Sequence, residues 1–227
     1  MDAPHVVRHP DTASLRETVC AFVHDALTWA PGRLVALAVG ETTLPLYAGL
    51  DPAHPGWLGC AITPVDELLP PPADPSRRFV ARLASGLAPG LRHLLVPLDV
   101  SGEPEHRVAD LDARLRHEGL AIAVLGLGPD GHIGFNQPPT PVTAGTRVVD
   151  LHPANLARLE GIEPARAALT MGVATFLAAS AVVVVADGPG KGAALERLLR
   201  GPEDPAWPVT WLRRHPHLTV AVGPTMT

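Results

Sequence analysis

The chain has 227 residues, 46% of them hydrophobic, and a formal net charge of -5 at pH 7. This is enough apolar chain for one sizeable core, and without a basic excess the sequence does not read as a binder of nucleic-acid backbones. The longest apolar runs, such as FLAASAVVVVA at 176–186, are about half the length needed to cross a bilayer, so no membrane association is expected.

The amino-terminal region has no basic segment followed by an apolar run, and the two cysteines, Cys20 and Cys60, lie far apart without CxxC spacing. A reducing, cytoplasmic setting is expected. The spacing of Leu15, Val19, Phe22, Val23 and Ala26 predicts an amphipathic helix over 12–29, ended by Pro31-Gly32. LVALAV at 34–39 is a continuous apolar run ending at Gly40, the pattern of a strand buried on both faces, and TTLPLYAGL after it reads as a helix start. The same grammar predicts strands at 57–62 and 91–98, with helices at 76–87 and 105–119. LAIAVLGLG at 120–128 reads as a mid-sheet strand. Helical segments around 154–160 and 172–179 precede a strand at 181–187, a helix in GKGAALERLLRG and a last strand at 217–223. Prolines gather in turns such as LPPPADP and NQPPTP, read as ordered loops. The alternation predicts one domain over 1–227, a three-layer α/β/α sandwich with a mainly parallel, Rossmann-like sheet. Ligands bind such sheets beyond the carboxyl ends of the strands.

Four predicted strand ends carry unusual polar content and share one edge if the strands are parallel. In VGETT at 39–43, Gly40, Thr42 and Thr43 suit an anion near a starting helix; a tight turn with a capping threonine has the same residues. Lys191, in the glycine-rich turn DGPGKG, is placed to bring an ammonium toward that anion, although a plain solvated lysine looks the same. GPGKG is not a nucleotide P-loop, because the full spacing and the following hydroxyl are missing. VDE at 65–67 offers two carboxyls, one able to turn inward as a base for a carbon-bound proton; two exposed loop acids fit as well. The strongest signal is LGLGPDGHIGFNQPPT at 125–140, where Gly126, Gly128 and Gly131 turn the chain and bring Asp130 beside His132, so that a carboxylate can orient an imidazole. The other ten histidines form no metal set, HPH at 215–217 reads as structural, and there is no GxSxG elbow.

These motifs, in this order, resemble the glucosamine-6-phosphate deaminase and 6-phosphogluconolactonase family over residues 12–223. GHIGFN, at 131–136, follows the deaminase form of the histidine motif, whereas lactonases usually read Gly-His-Thr-Ala-Ser. The resemblance implies an aminosugar-phosphate deaminase or isomerase working without metal or organic cofactor. Asp66 matches the base that moves a proton from C2 to C1, His132 the ring-opening group, and Asp130 its partner. Gly40, Thr42 and Lys191 match phosphate-site positions; Glu41, Thr43, Glu67 and Gly131 stand beside these groups as further candidate ligand contacts, and Arg158 is the nearest candidate for the family's phosphate-site arginine. The expected partner is a small sugar phosphate, and the expected state a monomer or small homo-oligomer.

Three positions depart from the deaminase pattern. Gln137, a further candidate catalytic residue at the ring-opening cluster, stands where a glutamate is usual, leaving a neutral amide that cannot hold an imidazolium by charge. Glu41 replaces glycine or serine beside the expected phosphate, and Leu68 replaces a tyrosine. A lactone hydrolase, with Asp130 and His132 activating water, and a non-catalytic sugar-phosphate binder stay open as alternatives.

Overall fold

The computed structural model describes residues 4–30, 33–152, 156, 159 and 161–226. Its central sheet has six strands, all parallel, in the order β1 (His5–Arg8), β9 (Leu218–Val222), β8 (Ala181–Ala186), β5 (Leu120–Gly126), β2 (Leu34–Leu37) and β3 (Ala61–Pro64). Strands β2, β5 and β8 are apolar without alternation because both faces are covered. Val35 and Leu37 of β2, Ile122 and Val124 of β5, and Val183 and Val185 of β8 share one core with helices α1 (Thr12–Trp29) and α2 (Phe79–Gly86). Leu34, Ala36, Ala123, Leu125, Val182 and Val184 point the other way. They pack with helices α3 (Pro104–Glu118), α4 (Val173–Leu177) and α5 (Gly192–Arg200). Successive strand residues thus serve opposite layers, each fully buried Val or Leu contributing about 1.5–3 kcal/mol of transfer free energy. The chain is a three-layer α/β/α sandwich. No helix among the described residues is long and apolar enough to cross a membrane.

A second, antiparallel sheet has the order β4 (Asp66–Leu69), β7 (Ala167–Thr170) and β6 (Arg147–Asp150). None of these strands is apparent from the sequence, since each is four residues long, and neither is the exposed edge strand β1.

Two expected strands are corrected. Residues 57–62 begin in a 3-10 turn, Pro55–Trp57, and the strand starts only at Ala61, because the proline sets the turn. Pro89-Gly90 likewise opens a 3-10 turn over Pro89–Leu94, so 91–98 forms no ladder beyond a single bridge from Leu95 to Ile62. The expected helix over 76–87 is divided into a 3-10 turn at Pro75–Arg77 and α2. The helix start at TTLPLYAGL is a 3-10 turn, Leu44–Gly49. Most of the segment expected to be helical at 154–160 lies outside the described residues.

Helix α1 follows its sequence signal from end to end. Asp11 is its cap, the side chain accepting from the Ser14 amide at 2.8 Å, an arrangement that contributes about 1 kcal/mol.

Candidate active site

Strands β8, β5, β2 and β3 are consecutive neighbours in the central sheet. Being parallel, they deliver the four polar segments, 187–191, 127–136, 39–43 and 65–67, to one edge. A cleft of about 270 Å³ opens there, lined by Gly40, Glu41, Thr42, Thr43, Asp66, His132 and Lys191 with the apolar Phe79, Phe135 and Leu159. Phe79 and Phe135 stack at 5.9 Å to form one wall.

At one end, Lys191 Nζ donates to Thr42 Oγ1 at 2.8 Å, and that hydroxyl donates to the Asp187 carbonyl at 3.3 Å. This chain ties the turn after β8 to the turn after β2 and holds an ammonium over the cleft. Thr43 is fully buried and acts as a pin for its own loop: its hydroxyl donates to the Ala38 carbonyl at 2.7 Å and accepts from the Gly40 amide at 3.2 Å. The Gly40 N–H and the Thr43 hydroxyl hydrogen are therefore committed within the loop. Glu41 is exposed and stands at the mouth of the cleft.

At the other end, strand pleating separates the two acids of VDE. Glu67 is fully buried and points into helix α2, its carboxyl accepting from the Phe79 amide at 2.9 Å and the Val80 amide at 3.1 Å. It caps that helix and does not line the cleft, so the expectation that it touches a ligand is corrected. Asp66 points the other way, into the cleft, and is 5% exposed. Burial pushes its carboxyl up to about 8, with Glu67 adding to the rise and Arg82 opposing it.

His132 faces the cleft with Nδ1 against Asp130 Oδ1 at 2.5 Å, and the same oxygen accepts from the His132 amide at 3.1 Å. Burial raises the Asp130 carboxyl, but the bond and charge of His132 outweigh it and hold the group down to about 2. Asp130 itself stands behind the imidazole and is not part of the cleft wall. Gly128 makes this approach possible: a Cβ there would meet His132 Nδ1 at 2.2 Å. Gly134, at φ +56°, lies over Asp66, where a Cβ would come 3.1 Å from Oδ2.

Other expected contacts are placed elsewhere. Gly131 packs against Trp207 outside the cleft wall, its carbonyl accepting from Val209 at 2.9 Å. Gln137 is half-buried and also absent from the lining, its carbonyl accepting from the Thr140 hydroxyl at 2.5 Å. Arg158 lies outside the described residues. The sequence reading assigned no place in the site to Thr170 and Arg147, which hold the Ile133–Asn136 turn, or to the aromatic pair. Arg147 carries no motif signal, because its role depends on an antiparallel sheet the sequence does not announce.

A larger cavity, about 570 Å³, lies at the opposite, amino-terminal edge of the sheet, between the start of β8, Trp29 and His217. His215 there is buried and bonded to the Ala179 carbonyl at 2.8 Å, a structural use of HPH. The chemistry-bearing groups converge on the smaller cleft.

Residues 11–220 match the family described as glucosamine-6-phosphate isomerases/6-phosphogluconolactonase. The chain belongs to that family. Among its relatives, the glucosamine-6-phosphate deaminase of Rhodopirellula baltica is 31% identical, with 92% of this chain and 89% of that protein covered. The enzyme of the same name from Streptomyces coelicolor is 30% identical, with 96% and 89% covered. The fold is shared with a monomeric glucosamine-6-phosphate deaminase, at a TM-score of 0.84 and 23% identity over 96% of this chain and 97% of the other. It is also shared with the 6-phosphogluconolactonase of Trypanosoma brucei, at 0.74 and 19% over 97% and 96%. For a family member acting in sugar-phosphate metabolism, the end of the cleft that holds Lys191 yields a prediction. Lys191→Ala raises KM for a phosphorylated sugar about tenfold to a hundredfold with kcat nearly preserved, as expected for loss of a charged hydrogen bond. Glu41→Gln lowers KM a few-fold by removing like-charge repulsion. Steady-state kinetics on the two variants checks both directions.

Proposed function

We propose that the protein converts a 2-amino-2-deoxyhexose 6-phosphate, glucosamine 6-phosphate or an epimer, into the ketohexose 6-phosphate and ammonia. The observation that supports this most is the pairing within one cleft of a buried carboxyl, Asp66, with an imidazole backed by a carboxylate, His132 and Asp130. Similarity to deaminases at 30–31% identity along nearly the whole chain points the same way.

The sugar phosphate sits with its anion toward Lys191 and Thr42. His132 takes the proton of the C1 hydroxyl as the C1–O5 bond breaks and passes a proton to O5, leaving the open-chain aldehyde; Asp130 steadies the imidazolium formed on the way. Ionised Asp66 then removes the C2 proton. The C2–H electron pair becomes the C1–C2 double bond of an enolamine as the aldehyde oxygen gains a proton. Asp66 returns its proton to C1, the nitrogen lone pair forms an iminium at C2, water adds at C2, and the C–N bond breaks. One water is consumed, and ketose phosphate and ammonia leave.

A base must be ionised to act, and Asp66, raised by its burial, holds its proton up to about 8. Ammonia release from glucosamine 6-phosphate is therefore expected, with kcat/KM rising as pH climbs through about 8. Absence of ammonia from every hexosamine 6-phosphate tried would sink the proposal. The second reading, a lactonase, draws on the half-exposed Asp130 beside His132, which suits water activation; faster acid formation from 6-phosphogluconolactone, without ammonia release, identifies it.

A further inference from the structure

In the antiparallel sheet, Asp66, Thr170 and Arg147 stand in register, one on each of β4, β7 and β6. In-register residues share a face, and the turn Ile133–Asn136 lies across that row, meeting each member in succession. Gly134 lies over Asp66 and Thr170, where a Cβ would come 3.1 Å from Asp66 Oδ2 and 3.4 Å from Thr170 Oγ1. The Phe135 amide donates to Thr170 Oγ1 at 3.4 Å. Asn136 Oδ1 accepts from Arg147 Nη1 at 2.8 Å.

Asn136 is fully buried, and its Nδ2 donates to the Ile133 carbonyl at 2.8 Å and the Met171 carbonyl at 2.9 Å. Both amide hydrogens thus go to backbone, and the orientation leaves Oδ1 as an acceptor facing Arg147. Arg147 Nη1 also donates to the Gly145 carbonyl at 3.2 Å. The guanidinium is half-buried and lies outside the cleft wall.

We infer that Arg147 is a positioning residue: acting through Asn136, it holds the turn after His132 against the sheet that carries Asp66, and so fixes the imidazole relative to the carboxyl. The inference rests on the proposed roles of Asp66 and His132. With the guanidinium removed, Asn136 Oδ1 is a buried acceptor without its donor. The turn is then held to the row only by the bond of Asn136 Nδ2 to the Met171 carbonyl and the longer one of the Phe135 amide to Thr170 Oγ1.

Two variants and two readouts test it. Arg147→Ala lowers kcat about 100-fold, the scale of a misplacement of about 1 Å, with KM for glucosamine 6-phosphate within about threefold, since Arg147 does not line the cleft. Arg147→Lys, which keeps a donor and the charge, recovers about tenfold of the loss. Backbone hydrogen exchange in Arg147→Ala rises over residues 126–140 and is unchanged over 34–43. A kcat within about twofold of wild type, a rise in KM with kcat unchanged, or faster exchange along the entire chain each overturns the inference. If no hexosamine phosphate is turned over, exchange still decides: a rise confined to 126–140 upholds the clamp while the functional reading falls, and unchanged exchange overturns the clamp.

Discussion

Asp66→Asn is expected to lose exchange of the substrate C2 proton with solvent by at least about 10³-fold, and to be more stable than the wild type in alkaline buffer. The amide keeps the size and shape of the acid but cannot accept the proton from carbon. The stability claim follows from proton linkage. The carboxyl gives up its proton near 3.8 in the unfolded chain and only near 8 in the folded one. Between those values the unfolded state binds fewer protons, so wild-type stability falls as pH rises, and it levels off once both states are ionised. Asparagine carries no such loss. The difference between variant and wild type therefore opens above about pH 4, widens to about 8 and then stays constant. A gap of at least about 1 kcal/mol corresponds to roughly 2–4 °C in Tm for a chain of this length. Thermal melts at pH 4 and pH 9, with proton exchange followed by NMR in deuterated buffer, check both halves. Unchanged exchange rejects Asp66 as the base; a variant less stable than wild type at pH 9 would mean that the carboxyl is ionised and well bonded.

Gly128→Ala should lower kcat by at least about 100-fold without unfolding the chain. The added methyl would fall 2.2 Å from His132 Nδ1, 2.3 Å from Cε1 and 2.6 Å from Cγ, distances no side chain tolerates. The surrounding backbone is anchored, since the Gly128 amide donates to the His132 carbonyl at 3.0 Å and the Gly131 amide to the Gly128 carbonyl at 3.1 Å. The imidazole is the movable partner, and in swinging away it breaks its 2.5 Å contact with Asp130. The orienting carboxylate is then separated from the group it orients, and ring opening slows while substrate binding through Lys191 persists. Kinetics together with the melting temperature separates this outcome from simple destabilisation: a kcat within about twofold would show that the ring works from another rotamer.

The inner strands of the central sheet were legible because they are apolar on both faces and end in glycine or a polar turn; LVALAV and AVVVVAD announce burial on their own. The four loops could be assigned to one edge because parallel strands leave no other place for them. What the sequence did not announce is the small sheet. DELL, AALT and RVVD are too short to show a period, and DELL pairs with a strand about a hundred residues further along the chain. For that reason Glu67 read as a candidate ligand contact although it caps a helix, and Arg147 drew no notice. Thr43 and Gly40 carried the right chemistry for an anion, yet their groups bond one another, a local competition that composition does not reveal.

The division of Asp66 from Glu67 by the pleat makes the length of this segment critical. Inserting one residue between Val65 and Asp66 would exchange the two acids, turning the Glu67 carboxyl toward the cleft and driving the Asp66 carboxyl among the amides of Phe79 and Val80. A frame change of one position there would take the cleft carboxyl and the cap of α2 away together.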